Sequence, residues 1–98
     1  MPLKRWIQYL PDGFDLRILR QTEHGKLIAF SVALVYEGEC IARYDTAHGF
    51  AHRDVLGRKT ALIEKRTCEN LSNEEAFQHA IIDLKTNFHA NHAFYVAH

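Results

Sequence analysis

The sequence predicts an α+β fold: an antiparallel β-sheet of about four to five strands with one C-terminal amphipathic α-helix packed across one face. Three observations lead there. Apolar residues alternate with period two through residues 14–18 and 26–36. Short glycine-containing turns separate these runs. A helix-start signal at Ser72 precedes apolar residues spaced by three and four. The 98 residues form a single domain, 1–98, large enough for one hydrophobic core.

Residues 1–10 place Trp6, Ile7, Tyr9 and Leu10 around Lys4 and Arg5, a composition that suits an edge strand ended by Pro11-Asp12-Gly13. Phe14, Leu16 and Ile18 then share one face of the next strand. Glu23-His24-Gly25 is a hairpin turn. Residues 26–36 are the most apolar run, with Ile28, Phe30, Val32, Leu34 and Tyr36 on one face and the smaller Leu27, Ala29, Ser31, Ala33 and Val35 on the other. This pattern fits a central strand covered by a helix on one side and by a partner chain or short segments on the other.

Glu37-Gly38-Glu39 turns the chain into a strand over residues 40–46. Residues 47–54 read as a loop or strand end bent at Gly49, and Val55-Leu56 resumes a strand. Gly57-Arg58-Lys59 turns again, and residues 60–66 run extended. In Ser72-Asn73-Glu74-Glu75 the serine hydroxyl and the Glu75 carboxylate can each cap the other's backbone N–H. Phe77, Ile81, Leu84 and Phe88 form the apolar stripe of the helix, and His89 and His92 lie at its end, where the macrodipole favours cations.

Lysine plus arginine equals aspartate plus glutamate at twelve each, so no global charge draws the protein to nucleic acid or membrane. Locally the balance tilts: Arg43, Arg53, Arg58, Lys59, Lys65 and Arg66 make the centre basic, and Glu69, Glu74, Glu75 and Asp83 make the C-terminal part acidic. No apolar run approaches a membrane span, and Cys40 and Cys68 read as reduced thiols. The expectation is a cytoplasmic protein with no membrane partner.

The chemistry concentrates between Arg43 and Asp54. Metal-independent cleavage of RNA needs a base, an acid and a cation for the phosphorane, tasks suited to two histidines and an arginine. His52 and His48 supply the acid–base pair, Asp45 or Asp54 orients an imidazole, and Tyr44 stacks on a base or donates a proton. Arg43 and Arg53 are the phosphate-binding candidates. Asp45 and Arg53 could instead form a cross-strand ion pair. In a continuous strand His48 and His52 stand about 13 Å apart, too far to share a zinc ion. No metal site and no cofactor is expected from this spacing.

Arg43-Tyr44-Asp45, Gly49, His52-Arg53, Gly57, Leu71-Ser72 and a helix carrying Asp83 together resemble the TumE-like family, over roughly residues 14–88. These are small bacterial proteins described as toxins and encoded beside a helix-turn-helix antitoxin. Their usual run is Arg-Tyr-Asp-Asn, a glycine spacer, then Asp-His-Arg-His; here Thr46, Ala51 and Asp54 stand in place of Asn, Asp and the second His. The resemblance implies a toxin of a toxin–antitoxin pair with the antitoxin as partner, without fixing a reaction, and nominates Arg43, Tyr44, Asp45, His52 and Arg53; RNA as the target rests on the acid–base inventory above. The alternative is a non-enzymatic protein-binding module, such as a phage-encoded inhibitor of a nuclease complex, and either protein could be a homodimer.

Overall fold

The computed structural model describes residues 2–98, apart from the side chain of His48; Met1, the start of the expected first strand, lies outside. Each alternating run becomes a strand: β1 (Leu3–Tyr9), β2 (Phe14–Glu23), β3 (Lys26–Tyr36), β4 (Glu39–Asp45), β5 (His52–Gly57) and β6 (Ala61–Thr67). All pair antiparallel with their sequence neighbours, giving a six-stranded meander in the order β1-β2-β3-β4-β5-β6. Two tight hairpins rest on residues with positive φ, His24-Gly25 and Glu37-Gly38. This double left-handed geometry matches the right-handed twist of the strands it joins.

Two helices follow, α1 (Asn73–Thr86) and α2 (Phe88–Ala97). Ser72 caps α1 as its sequence requires: the Glu75 N–H donates to the Ser72 hydroxyl at 3.1 Å, and the Ser72 N–H donates to the Glu75 carboxylate at 3.0 Å. Ser72→Ala removes one arm of this box. It is expected to cost about 1 kcal/mol, lowering the melting temperature in thermal denaturation by about 4–8 °C.

The expectation of four to five strands and one helix is corrected to six and two. The first half of β5 reads as a loop or strand end in the sequence because His52, Arg53 and Asp54 put polar groups on both faces; their partners lie on β4, β6 and α1, out of reach of any local pattern. The helix breaks at Asn87, whose backbone leaves helical geometry (φ −111°, ψ 26°) while its amide donates to the Asp83 carboxylate at 2.7 Å. The apolar spacing from Leu84 to Phe88 runs straight across this break, so periodicity alone read one helix.

The core lies between the sheet and α1. Phe14, Leu16 and Ile18 of β2, Phe30, Val32 and Leu34 of β3, and Ala42 and Tyr44 of β4 meet Ala76, Phe77, Ala80 and Leu84 of α1. Phe88 of α2 packs edge-on against Phe14 at 5.0 Å. Among the described residues, no helix is long and apolar enough to cross a membrane.

Candidate functional site

Residues directly opposite in an antiparallel pair share a face, and neighbours along a strand alternate. Arg43 pairs with Asp54 and Asp45 with His52, whereas Tyr44 pairs with Arg53. Tyr44 is a core residue against α1. The segment singled out by the sequence is therefore split by the sheet. Tyr44 and Arg53 face the helices; Arg43, Asp45, His52 and Asp54 face away from them. The catalytic set expected from the sequence does not assemble on one surface.

On the side away from the helices, His52 and Asp54 are buried, at 0% and 1% exposure. Arg43 grips one Asp54 oxygen through Nε, at 2.9 Å, and through Nη2. Lys65 of β6, which pairs with Asp54 in register, donates to the other oxygen at 3.0 Å. Burial pushes the Asp54 carboxyl up, but the hydrogen bonds from Arg43 and Lys65 outweigh it and hold the group below its ordinary value. The same bond to Asp54 raises Arg43, overcoming its own desolvation. The His52 Nε2 lies 2.9 Å from Asp45 Oδ1, 3.4 Å from Asp54 Oδ1 and 3.1 Å from Lys65 Nζ. Its Nδ1–H donates to the Phe50 carbonyl at 3.2 Å, and the Phe50 ring stands tilted beside it with centroids 5.6 Å apart. A phosphodiester has no direct access to this imidazole. Asp45 turns to His52 and, at 3.4 Å, to Arg43 rather than to Arg53.

On the helix side, a cleft of about 540 Å³ opens between the β5–β6 edge and α1. Tyr44, Arg53, Arg66, Cys68, Glu69, His79 and Asp83 contribute to its wall. An adjoining hollow of about 300 Å³ shares Arg53, Arg66 and Asp83 and runs on to Asn87 and Asn91. Asp83 is the hub: it accepts from the Tyr44 hydroxyl at 2.6 Å and from Arg53 Nη1 at 3.2 Å. Arg53 also donates to the Asn91 side chain and stands 5.7 Å from the centre of the Tyr44 ring. Its Nε is the one buried side-chain nitrogen or oxygen without a hydrogen-bond partner among the described residues. Burial, and then the bond to Asp83, push the Tyr44 phenol up, so it remains a hydrogen-bond donor. Burial also raises the Cys68 thiol, which argues against a nucleophilic thiolate.

His48 belongs to the single turn Ala47–Gly49, and its side chain lies outside the described residues. His89 and His92 serve the fold: His89 meets Asp12 at 2.9 Å, and His92 packs on the Tyr36 ring at 4.6 Å. The sequence placed Lys65 and Arg66 only in the basic centre, without a site role, and marked none for His79. The only local signal for the first two was a basic pair on an otherwise unremarkable strand, and His79 is an exposed residue whose relation to Tyr44 exists only after α1 docks.

No curated protein and no solved structure matches the chain. A family model described as a domain of unknown function, DUF7718, matches residues 1–97. The six-stranded meander with its two C-terminal helices and helix-side cleft thus belongs to the DUF7718 family.

Proposed function

We propose that the protein is an RNA-directed toxin of a toxin–antitoxin pair that works without metal through the helix-side cleft, not through His52. One observation carries the reading. Tyr44, Arg53 and Asp83, all within the run that resembles the TumE-like family, converge in a cavity that also holds Arg66 and His79. Guanidinium groups bind phosphate oxygens bidentately, and Arg53 and the exposed Arg66 bring two of them to this cleft. Imidazole is the side chain suited to proton transfer near neutral pH.

In this chemistry His79 takes the proton of the RNA 2′-hydroxyl, whose oxygen attacks phosphorus. The P–O bond to the 5′-oxygen breaks, that oxygen receives a proton from water, and a 2′,3′-cyclic phosphate remains. Arg53 and Arg66 hold the phosphorane charge, while Asp83 fixes Arg53 and Tyr44. An RNA target puts the site of action in the cytoplasm, and a helix-turn-helix antitoxin would mask the cleft.

His79 and Arg66 are exposed, so their replacement leaves the core intact. Expressed alone, the wild-type chain is expected to arrest growth. His79→Ala and Arg66→Ala are expected to relieve the arrest and to slow RNA cleavage by about a hundredfold or more. Arrest undiminished in both folded variants would overturn the reading.

A second reading, a non-enzymatic protein-binding module such as an inhibitor of a nuclease complex, is favoured by one feature. All seven residues of the edge strand β6 are exposed, and such an edge can accept a strand from a partner. Co-purification with a nuclease complex in the absence of growth arrest would select it.

A further inference from the structure

The arrangement around His52 poses an electrostatic problem that an ion would solve. The Phe50 carbonyl can only accept, so His52 Nδ1 carries a proton and donates to it. In the neutral ring Nε2 is then a lone pair. It suits the Lys65 ammonium at 3.1 Å but opposes the Asp45 oxygen at 2.9 Å. In the imidazolium Nε2–H suits Asp45 but opposes the ammonium. In either protonation state, one of these two close contacts has the wrong polarity. A cation seated among Nε2, Asp45 and Asp54 satisfies every donor atom at once.

The spacing fits such an ion. Two ligands each about 2.1 Å from a metal are about 3.0 Å apart at an octahedral edge and about 3.4 Å apart at a tetrahedral one. His52 Nε2 lies 2.9 Å from Asp45 Oδ1 and 3.4 Å from Asp54 Oδ1, and one ligand atom from each of the three residues lies within 4.8 Å of the others. The Nδ1–H bond to a backbone carbonyl is the outer contact that orients metal-ligating histidines. The imidazole and Asp54 are buried, while Asp45 and Lys65 keep side-chain exposures of 18% and 36%, which leaves a route in from solvent.

We infer that Asp45, His52 and Asp54 form a binding site for a first-row divalent cation, Zn²⁺ foremost, in which the Lys65 ammonium is the resident competitor. The ion ties β4 to β5, and Lys65 swings outward on β6 when it enters. The site is structural and lies on the opposite side of the sheet from the cleft, so it stands or falls independently of the RNA reading.

Titration of the purified chain with Zn²⁺ tests this, read by calorimetry and by thermal denaturation. Wild type is expected to bind one ion and to melt higher with excess Zn²⁺. Lys65→Ala removes a positive charge beside the ion and is expected to bind about tenfold tighter or more. Asp45→Asn, at a partly exposed position, is expected to abolish the melting shift while the protein still folds. Two results would overturn the inference: no binding by either wild type or Lys65→Ala, or a Zn²⁺ shift that Asp45→Asn leaves unchanged, which would place the ion on surface histidines. Lys65→Ala retains all three ligands, so the test survives even if ligand variants fold poorly.

Discussion

Asp54→Ala is expected to cost about 1.5–3 kcal/mol of unfolding free energy, a sizeable share of the stability of a domain this small. The carboxylate is 2% exposed and neutralises two cations that converge on it from different strands, Arg43 on β4 and Lys65 on β6. Its removal leaves both positive charges beside a buried histidine with Asp45 as the one carboxylate near them. Urea denaturation would show the loss as a lower midpoint. Asp54→Asn keeps the shape but not the charge, and is expected to lose most of the same stability. The pH dependence follows from the direction of the Asp54 shift. The folded group titrates below its ordinary value of 3.8, so its contribution is fully present above that value and is lost as pH falls through the lower, folded one. The stability gap between wild type and Asp54→Asn is therefore expected to stay level at neutral pH and to close in acid. A gap that widened as the pH dropped would contradict this assignment of charge.

Phe77→Ala is expected to cost about 3–5 kcal/mol, through lost burial and the cavity left between α1 and the sheet. Its ring is 3% exposed and meets Phe30 edge-on at 5.5 Å. The Arg20 guanidinium stands 5.1 Å from the ring centre and is itself held by Glu74 at 2.8 Å, so the site is closed from both sides and has little freedom to collapse. Phe77→Leu keeps most of the apolar volume and is expected to cost less than half as much in the same thermal denaturation experiment. α1 also carries His79 and Asp83, so loosening it should loosen the cleft. A Phe77→Ala protein that melted like wild type would mean that the helix is not held by this contact.

The parts of the fold legible in the sequence are those with local causes. The alternation of Phe14, Leu16 and Ile18 and the run from Lys26 to Tyr36 became β2 and β3, and the Ser72–Glu75 capping box formed. The positions that misled are those satisfied at a distance. His52, Arg53 and Asp54 looked like a polar loop because nothing nearby in sequence matches them; they form a strand because Asp45, Asp83 and Lys65 do. Asn87 ends one helix through a backbone angle and an amide bond to Asp83, which no apolar period records.

The same distinction holds for the candidate site. The sequence by itself placed Arg, Tyr, Asp and His together in residues 43–54, whatever the fold. For the strand over residues 40–46 it also determined, through the two-residue period, that Arg43 and Asp45 point to one side and Tyr44 to the other. Only the tertiary structure decided which residues would be buried and whom each would meet. Register brought Lys65 to Asp54 and His52, and docking of α1 brought Asp83 and His79 to Tyr44. The physical reason is range. Alternation and capping act over a few residues of chain, whereas pairing a buried charge depends on strands and helices that meet only when the sheet closes on its helix.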